Sequence, residues 1–184
     1  EALPGLIAES IVQAAGRLAP ARVGLAAVDD RAHTHCRRWI RRPDRLVQDP
    51  FGGLTGRAHM HPGHQNPDAI APSGPVDPGL SVLAVQTPEG RPIAVLANYS
   101  MHYFGASAVS ADYFGRFAAT FGSRIGAGPE FVAMMSQGTS GDSMWMDYSR
   151  PAAKITLQEY TDSLAQVAAQ AYQTVQFHDW VSID

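Results

Sequence analysis

The feature that most constrains the fold of this chain is a pair of apolar strands, each of which leads directly into a polar segment. The first covers residues 94–97 and leads into residues 98–102, Asn-Tyr-Ser-Met-His. The second covers residues 131–135 and leads into residues 136–142, Ser-Gln-Gly-Thr-Ser-Gly-Asp. Between them, residues 109–115 have the character of a helix start. Because ligands bind at the carboxyl ends of strands in open α/β sheets, we expect a candidate active site where the two polar segments meet.

The hydrophobic pattern of the rest of the chain predicts an α/β fold, with a mixed layered sheet flanked by helices in a single domain. The predicted helices span residues 4–18, 111–125 and 152–175, and the predicted strands span residues 22–28, 80–86, 92–97, 130–135 and 180–184. We expect the first helix to be amphipathic, with its apolar residues on one face, and Ser110 to cap the second helix. Residues 30–79 have little periodicity and are predicted to form a long irregular loop.

Composition narrows the classes of function. The chain has 184 residues and a net charge of -3, and its basic residues do not alternate with aromatic residues as in nucleic-acid-binding proteins, so nucleic acid is not an expected partner. An arginine cluster around Trp39 could bind an anionic group or could simply be solvated. The single cysteine, Cys36, excludes an internal disulfide. No apolar run approaches the roughly 20 residues of a transmembrane helix.

Seven histidines offer several candidate metal ligands. His33 and His35 form one His-x-His pair, and His59 and His61 form another. On a strand such a pair points both imidazoles to one face and can bind zinc, whereas in a loop it is commonly exposed to solvent. His64 follows His61 across a Pro-Gly turn, so we expect these two histidines to form local hydrogen bonds.

His102 is a stronger candidate because it directly follows an apolar strand. It could be a metal ligand, a catalytic residue or a structural residue. Asp112 could accept the second N–H of a metal-bound histidine, or it could only interact favourably with the helix dipole. The segment 136–142 lacks a nucleophile elbow and a phosphate-binding loop. It could donate backbone N–H groups to an oxyanion, or it could be a simple turn.

An apolar patch surrounds that segment. It is either core or the wall of a pocket for an apolar substrate. Its members are Met134, Met135, Met144, Trp145 and Met146.

Segments 98–102, 109–113 and 136–142 together resemble the catalytic domain of the neutral/alkaline non-lysosomal ceramidases. In that family a strand ends in a His-containing segment that supplies a zinc ligand, a Ser-Ala-Asp helix start follows, and a later strand ends in a Gly-Asp-Val-Ser-Pro-Asn loop. The order and spacing agree in this chain. The resemblance extends to residues 7–23 and 77–85, and therefore covers most of the sequence.

The resemblance implies a zinc amidohydrolase that cleaves the amide of N-acyl sphingosine, or a related lipid amide, with a zinc-activated water. His102 then corresponds to one zinc ligand, and the other ligands of the family lie outside these residues. The chain is therefore expected to be an internal part of a larger catalytic domain. The implied cofactor is Zn²⁺, the implied partner is a lipid or small-molecule amide that could lie at a membrane surface, and the implied location is secreted or periplasmic.

The resemblance and the strand-end positions also give further site residues. Catalytic roles are expected for Asp112, Gly141 and Asp142. Substrate contacts are expected for Tyr103, Ser140 and Ser143.

One departure from the family leaves alternatives open. Met144 stands where the family loop has its serine. The chain could therefore act on another amide or ester, or could be a non-catalytic binding domain that keeps only the fold. A serine hydrolase using Ser140 or Ser143 with His102 is a third alternative.

Overall fold

The computed structural model describes residues 2–106 and 109–182, which contain three α-helices and nine strands. The helices are α1 (Ala2–Ala15), α2 (Asp112–Arg124) and α3 (Leu157–Gln173). The strands are β1 (Arg22–Asp29), β2 (His35–Cys36), β3 (Arg38–Arg41), β4 (Ala58–Met60), β5 (Ala69–Pro72), β6 (Gly79–Gln86), β7 (Pro92–Tyr99), β8 (Val132–Gln137) and β9 (Ser143–Met144). Short 3-10 turns occur at Pro43–Arg45 and Ser140–Asp142.

The central sheet has the strand order β1-β6-β7-β8. Strands β1, β6 and β7 pair antiparallel, and a hairpin joins β6 to β7. Strand β8 pairs parallel to β7, because α2 carries the chain back to the starting edge of the sheet. The predicted α/β fold with a mixed sheet is confirmed. The two apolar strands that lead into polar segments are β7 and β8, which are neighbours, with β8 at the edge of the sheet.

One face of the central sheet packs against α2 and α3 and holds the hydrophobic core. Alternate residues of each strand point to this face, as the period of two predicts. Helix α2 contributes aromatic residues one turn apart, and α3 contributes a stripe of small and large apolar residues. The fully buried side chains include Leu80, Val82, Val95, Tyr99, Tyr113, Phe117, Phe121, Tyr160 and Leu164.

The opposite face of the sheet is apolar and exposed. A row of directly paired residues crosses all four strands and consists of Leu25, Leu83, Leu96 and Met134. We call this row the outer ladder. Both α2 and α3 lie on the other face, so no described helix covers the outer ladder.

Helix α1 was predicted to be amphipathic, and none of its described residues is buried. Leu3, Ile7 and Ile11 are among its exposed apolar residues. Periodicity identifies an apolar stripe correctly, yet it carries no information about which surface covers that stripe. No helix among the described residues is long and apolar enough to cross a membrane.

The expected long irregular loop between β1 and β6 is also corrected, because it contains four short strands. Strands β4, β3 and β5 form a separate three-stranded antiparallel sheet, and β2 pairs with the distant β9. These strands have two to four residues each, which is too short for an alternating pattern to be recognised.

Three boundaries differ from the sequence-based expectation. Ser110 precedes Ala111, the cap residue of α2, and its Oγ accepts a hydrogen bond from the backbone N–H of Asp112 at 3.0 Å. Helix α3 begins at Leu157 rather than 152, because Thr156 and Glu159 form a capping box there. The predicted terminal strand is absent at residues 180–182, and residues 183 and 184 lie outside the described part.

Candidate active site

The polar segments after β7 and β8 meet at one edge of the sheet, as expected from the parallel pairing of these strands. The backbone N–H of Gly138 donates to the carbonyl of Tyr99 at 3.0 Å, and the N–H of Thr139 donates to Ser100 Oγ at 3.1 Å. A Cβ on Gly138 would lie 2.5 Å from Ser100 Oγ, so only glycine allows this close approach. Asp77 accepts a hydrogen bond from Ser100 Oγ at 2.8 Å and fixes that hydroxyl.

His102 lies in the first of these segments with its ring partly buried. Its Nδ1 is buried and has no hydrogen-bond partner among the described residues. Burial, together with the nearby charge of Arg37, lowers the pKa of His102, so the imidazole is neutral at neutral pH. A neutral imidazole with a free nitrogen is the form of histidine that binds a metal.

Asp112 does not pair with His102 but organises the loop that follows it. Its carboxylate accepts hydrogen bonds from the backbone N–H groups of Phe104, Gly105 and Ala106, at 2.9 to 3.0 Å, and from that of Tyr113 at 2.7 Å. Burial opposes ionisation of Asp112, but these four donors outweigh it and lower the pKa of the carboxyl. The interpretation of Asp112 as an anchor at the helix start fits these contacts.

Arg37 belongs to the arginine cluster around Trp39, for which the sequence left an anion-binding and a solvated role open, and the structure brings it to the candidate site. Its Nε donates to the carbonyl of Gly141 at 3.0 Å, and its backbone N–H donates to the carbonyl of Asp142 at 2.8 Å. Its charge also lowers the pKa of both His102 and His61. The guanidinium therefore contacts the Gly141 segment and lies beside His61, and within the described residues it forms no ion pair.

His61 and Tyr148 complete the described side of the site. His61 Nδ1 lies 2.5 Å from Tyr148 Oη, and its Nε2 lies 3.5 Å from Arg37 Nη1. The backbone of His61 adopts a left-handed conformation with φ of 52°, which is uncommon outside glycine. Burial is the main cause that lowers the pKa of His61, followed by the charges of Arg37 and His102.

His61 and His64 were expected to bond locally, and this expectation is wrong. His64 Nδ1 contacts the carbonyls of Asp147 and Arg150 at 3.1 and 2.9 Å, and its ring lies against Tyr148. Both histidines of the Pro-Gly turn therefore hold a segment that is more than eighty residues away in sequence. Turn chemistry predicts the shape of the turn but not its partners.

The other predicted site residues are distributed around this cluster. Gly141 and Asp142 lie in the 3-10 turn beside Arg37, and Asp142 forms an ion pair with Arg38 at 2.9 Å. Tyr103 is exposed, with its ring centroid 5.5 Å from that of His102. Ser140 begins the 3-10 turn and is partly exposed. Ser143 is only 1% exposed, because it pairs with Cys36 between β2 and β9.

The His-x-His pairs do not form metal sites in the described residues. His33 Nδ1 contacts the Asp30 carboxylate at 2.8 Å, and His35 Nε2 contacts the carbonyl of Ala32 at 3.2 Å. In residues 2–106 and 109–182, no group of three or more His, Cys, Asp or Glu side chains is arranged to hold a metal ion. At this sheet edge, His102 is therefore the one predicted ligand that the described chain contributes.

The apolar patch around residues 134–146 is divided between core and surface. Met144 is buried, whereas Trp145 and Met146 line a groove of about 420 Å³ together with His33, His64 and Tyr160. Neither His102 nor Arg37 lines this groove. Trp145 Nε1 donates to the carbonyl of Phe104 at 3.0 Å, which connects the groove wall to the loop after His102.

Comparison with solved structures finds this fold within ceramidases. Neutral ceramidase from Pseudomonas aeruginosa matches with a TM-score of 0.52 and 17% identity, over 90% of this chain and 24% of the ceramidase. A ceramidase complexed with C2 matches with a TM-score of 0.54 and 18% identity, over 88% of this chain and 23% of that protein. The chain therefore spans about a quarter of the length of each.

The identity is low, so this similarity concerns the fold alone. No protein-family model matches the chain, and the search of curated proteins gives no match.

Proposed function

We propose that this chain carries part of the active site of a zinc-dependent hydrolase that cleaves the amide of N-acyl sphingosine or a related lipid amide. One observation carries the proposal: neutral His102, the guanidinium of Arg37 and the Gly141 segment meet at the carboxyl ends of two parallel strands. The similarity of the fold to two ceramidases supports the choice of substrate class.

His102 fits one ligand position of a zinc site, because its imidazole is neutral and its Nδ1 is buried without a partner in the described residues. The other ligands are proposed to come from outside these residues. When bound, zinc would supply a Lewis acid and would lower the pKa of a bound water to about 7.

Arg37 is proposed to hold the carbonyl oxygen of the substrate. Its guanidinium is always charged, its Nε donates to the Gly141 carbonyl, and its Nη1 lies 3.5 Å from His61 Nε2. A fixed donor aimed at an oxygen that gains negative charge stabilises that charge without rearrangement.

The remaining residues are given positioning and contact roles in the proposal. Asp112 holds the backbone of residues 104–106 in place after His102. The carboxylate of Asp142 forms an ion pair with Arg38, and its backbone carbonyl accepts a hydrogen bond from the N–H of Arg37. Tyr103 presents an exposed aromatic ring beside His102, and Ser140 is partly exposed at the start of the 3-10 turn, so both are proposed to contact the substrate.

Metal analysis and an N-acyl sphingosine hydrolysis assay, both on the protein that contains this chain, test the proposal. We expect His102→Ala to lose zinc and hydrolysis together. We expect Arg37→Gln to keep its zinc and to lose roughly 10²- to 10³-fold in kcat, the cost of removing one oxyanion donor. Arg91→Gln is the matched control, since Arg91 lies in the turn at the opposite end of β7. Full zinc content with normal turnover in His102→Ala would contradict the proposal.

The serine-hydrolase alternative has less support from the described residues. Ser143 is buried in β9, and Met144, at the position of the family serine, is buried beside it. Inhibition by a serine-reactive phosphonate but not by a chelator would favour this alternative. A non-catalytic binding domain would instead show neither stoichiometric zinc nor turnover while still binding the lipid amide.

A further inference from the structure

The loop between the 3-10 turn at Pro43–Arg45 and β4 presents an unusually exposed aromatic side chain. We call residues 47–56 the Phe51 loop. The Phe51 side chain is 96% exposed and Leu54 is 70% exposed. A large apolar side chain this exposed loses the free energy that burial would provide, and such groups commonly mark interaction sites when they occur together.

The exposure of Phe51 follows from a well-ordered loop. The carboxylate of Asp49 accepts hydrogen bonds from the backbone N–H groups of Phe51 and Gly53, at 2.8 and 2.9 Å, and from the hydroxyl of Thr55. Two backbone hydrogen bonds between Val47 and Gly56 close its base. The loop therefore holds Phe51 away from the protein in a fixed geometry, and little conformational entropy remains to be lost when it binds.

Charge is concentrated around the base of this loop. Residues 37–60 contain six arginines and two aspartates, and Asp142 and Asp68 from outside this segment pair with Arg38 and Arg45. Arg41 and Arg57 are adjacent through a backbone hydrogen bond of 2.7 Å. Neither forms an ion pair among the described residues, whereas Arg42 and Arg45 pair with Asp44 and Asp68.

We propose that the Phe51 loop and the arginines at its base form a docking surface for a bilayer that contains anionic phospholipid. A bilayer places an apolar layer beneath a layer of charged headgroups. An apolar tip beyond a cationic base matches that order, with Phe51 and Leu54 reaching the interface and Arg41 and Arg57 facing phosphate groups. Charge complementarity favours a membrane with negative surface potential, because Arg41 and Arg57 are positively charged and form no ion pair among the described residues.

This surface goes beyond the proposed hydrolase, since it stands on exposure and charge alone. It lies on the small sheet of β3, β4 and β5, and the backbone of this sheet also contributes to the site. The N–H of His61, next to β4, donates to the carbonyl of Arg37, next to β3, at 2.8 Å. Arg37 and His61 lie at one end of the β3–β4 pair and the Phe51 loop leaves the opposite end, so a docked bilayer would contact the small sheet at the end farther from the candidate site.

Co-sedimentation with vesicles tests the surface without any measurement of turnover. We expect the protein to bind vesicles of phosphatidylcholine with phosphatidylglycerol, to bind phosphatidylcholine alone more weakly, and to lose binding as salt is raised. We expect the double variant Phe51→Ser/Leu54→Ser to weaken binding at least roughly tenfold. We expect Arg41→Gln/Arg57→Gln to weaken binding to the anionic vesicles by roughly tenfold or more and to remove most of the salt dependence.

Two control variants separate this surface from other exposed apolar residues. Trp180→Ser removes an exposed aromatic residue elsewhere, and Leu6→Ser/Ile7→Ser removes apolar residues of α1. Both are expected to bind vesicles like the wild type. Loss of binding in the α1 variant with normal binding in the Phe51 variant would overturn the proposal. So would wild-type binding in the Phe51 variant, absence of vesicle binding in the wild type, or binding to a DNA duplex as strong as to anionic vesicles.

Discussion

Asp30 is a buried carboxylate whose hydrogen-bond partners all favour its charged form. The side chain is almost fully buried, and it accepts hydrogen bonds from His33 Nδ1 at 2.8 Å and from Tyr99 Oη at 3.0 Å. Burial alone would raise the pKa of Asp30. The hydrogen bonds from His33 and Tyr99, with the charge of His33, outweigh burial and lower the pKa.

We expect Asp30→Asn to lower the free energy of unfolding by about 2 kcal/mol at neutral pH, because hydrogen bonds to a buried charged group are lost. A carboxyl with a lowered pKa in the folded state contributes stability above its unfolded pKa of about 4, and loses it as pH falls through the folded value. Urea unfolding between neutral and acidic pH measures both effects. The stability of the variant should fall less steeply toward acid, and parallel pH profiles would contradict this explanation.

Gly138 is the residue at which the two strand-end segments touch. Ser100 Oγ would lie 2.5 Å from a new Cβ and cannot easily move, because Asp77 and the backbone of Thr139 hold it. We therefore expect Gly138→Ala to cost about 1–3 kcal/mol of stability by overpacking. Gly128→Ala is the control, since nothing lies within 4 Å of its Cβ position. Thermal unfolding compares the two, and equal melting temperatures would contradict the close contact.

Helix α3 depends on a defined start. Thr156 Oγ1 accepts a hydrogen bond from the backbone N–H of Glu159 at 3.2 Å, and the Glu159 carboxylate accepts one from the N–H of Thr156 at 2.8 Å. We expect Thr156→Ala to lower the free energy of unfolding by about 1 kcal/mol. Thr120→Ala, in the middle of α2 and exposed, should change it by less than about 0.5 kcal/mol. Chemical denaturation measures the free energy of unfolding of both variants. A loss for Thr156→Ala no larger than the loss for Thr120→Ala would contradict a stabilising role of the cap.

The elements that sequence predicts well are those long enough to show a period. Helices α2 and α3 and strands β1, β6, β7 and β8 agree with the predicted positions within a few residues, apart from the late start of α3. Strands β2 to β5 and β9 could not be predicted, because two to four residues carry no alternation. Their pairing depends on partners elsewhere in the chain.

The residues of the candidate site also differ in how well the sequence predicts their positions. His102 and Gly141 follow strands directly, so strand order alone brings their segments together. Arg37, His61 and Tyr148 come from segments without periodicity, and only the β2–β9 pair and the small sheet bring them to the strand ends. The arginine cluster around Trp39 and the pair of His59 and His61 were the sequence signals of this group, but neither specifies which of its side chains faces the site.

At the scale of the whole molecule, one face of the central sheet is covered by α2 and α3 and the other face is exposed. We expect Leu80→Ala, at a fully buried position, to cost about 3 kcal/mol in this chain. Leu25→Ala, at a position of the outer ladder that is 67% exposed, should cost less than about 0.5 kcal/mol. Denaturant unfolding of both variants measures the difference. A cost at Leu25 that approached the cost at Leu80 would mean that the outer ladder is covered in solution.

The contact between Arg37 and Gly141 joins residues that are 104 positions apart. During synthesis Arg37 leaves the ribosome long before its partner exists, and closing so large a loop has a high entropic cost until the central sheet is in place. The site should consequently be the last part of the molecule to form. The amide proton of Arg37, which donates to the carbonyl of Asp142, would then gain protection from exchange after the amides of β6 and β7 during refolding.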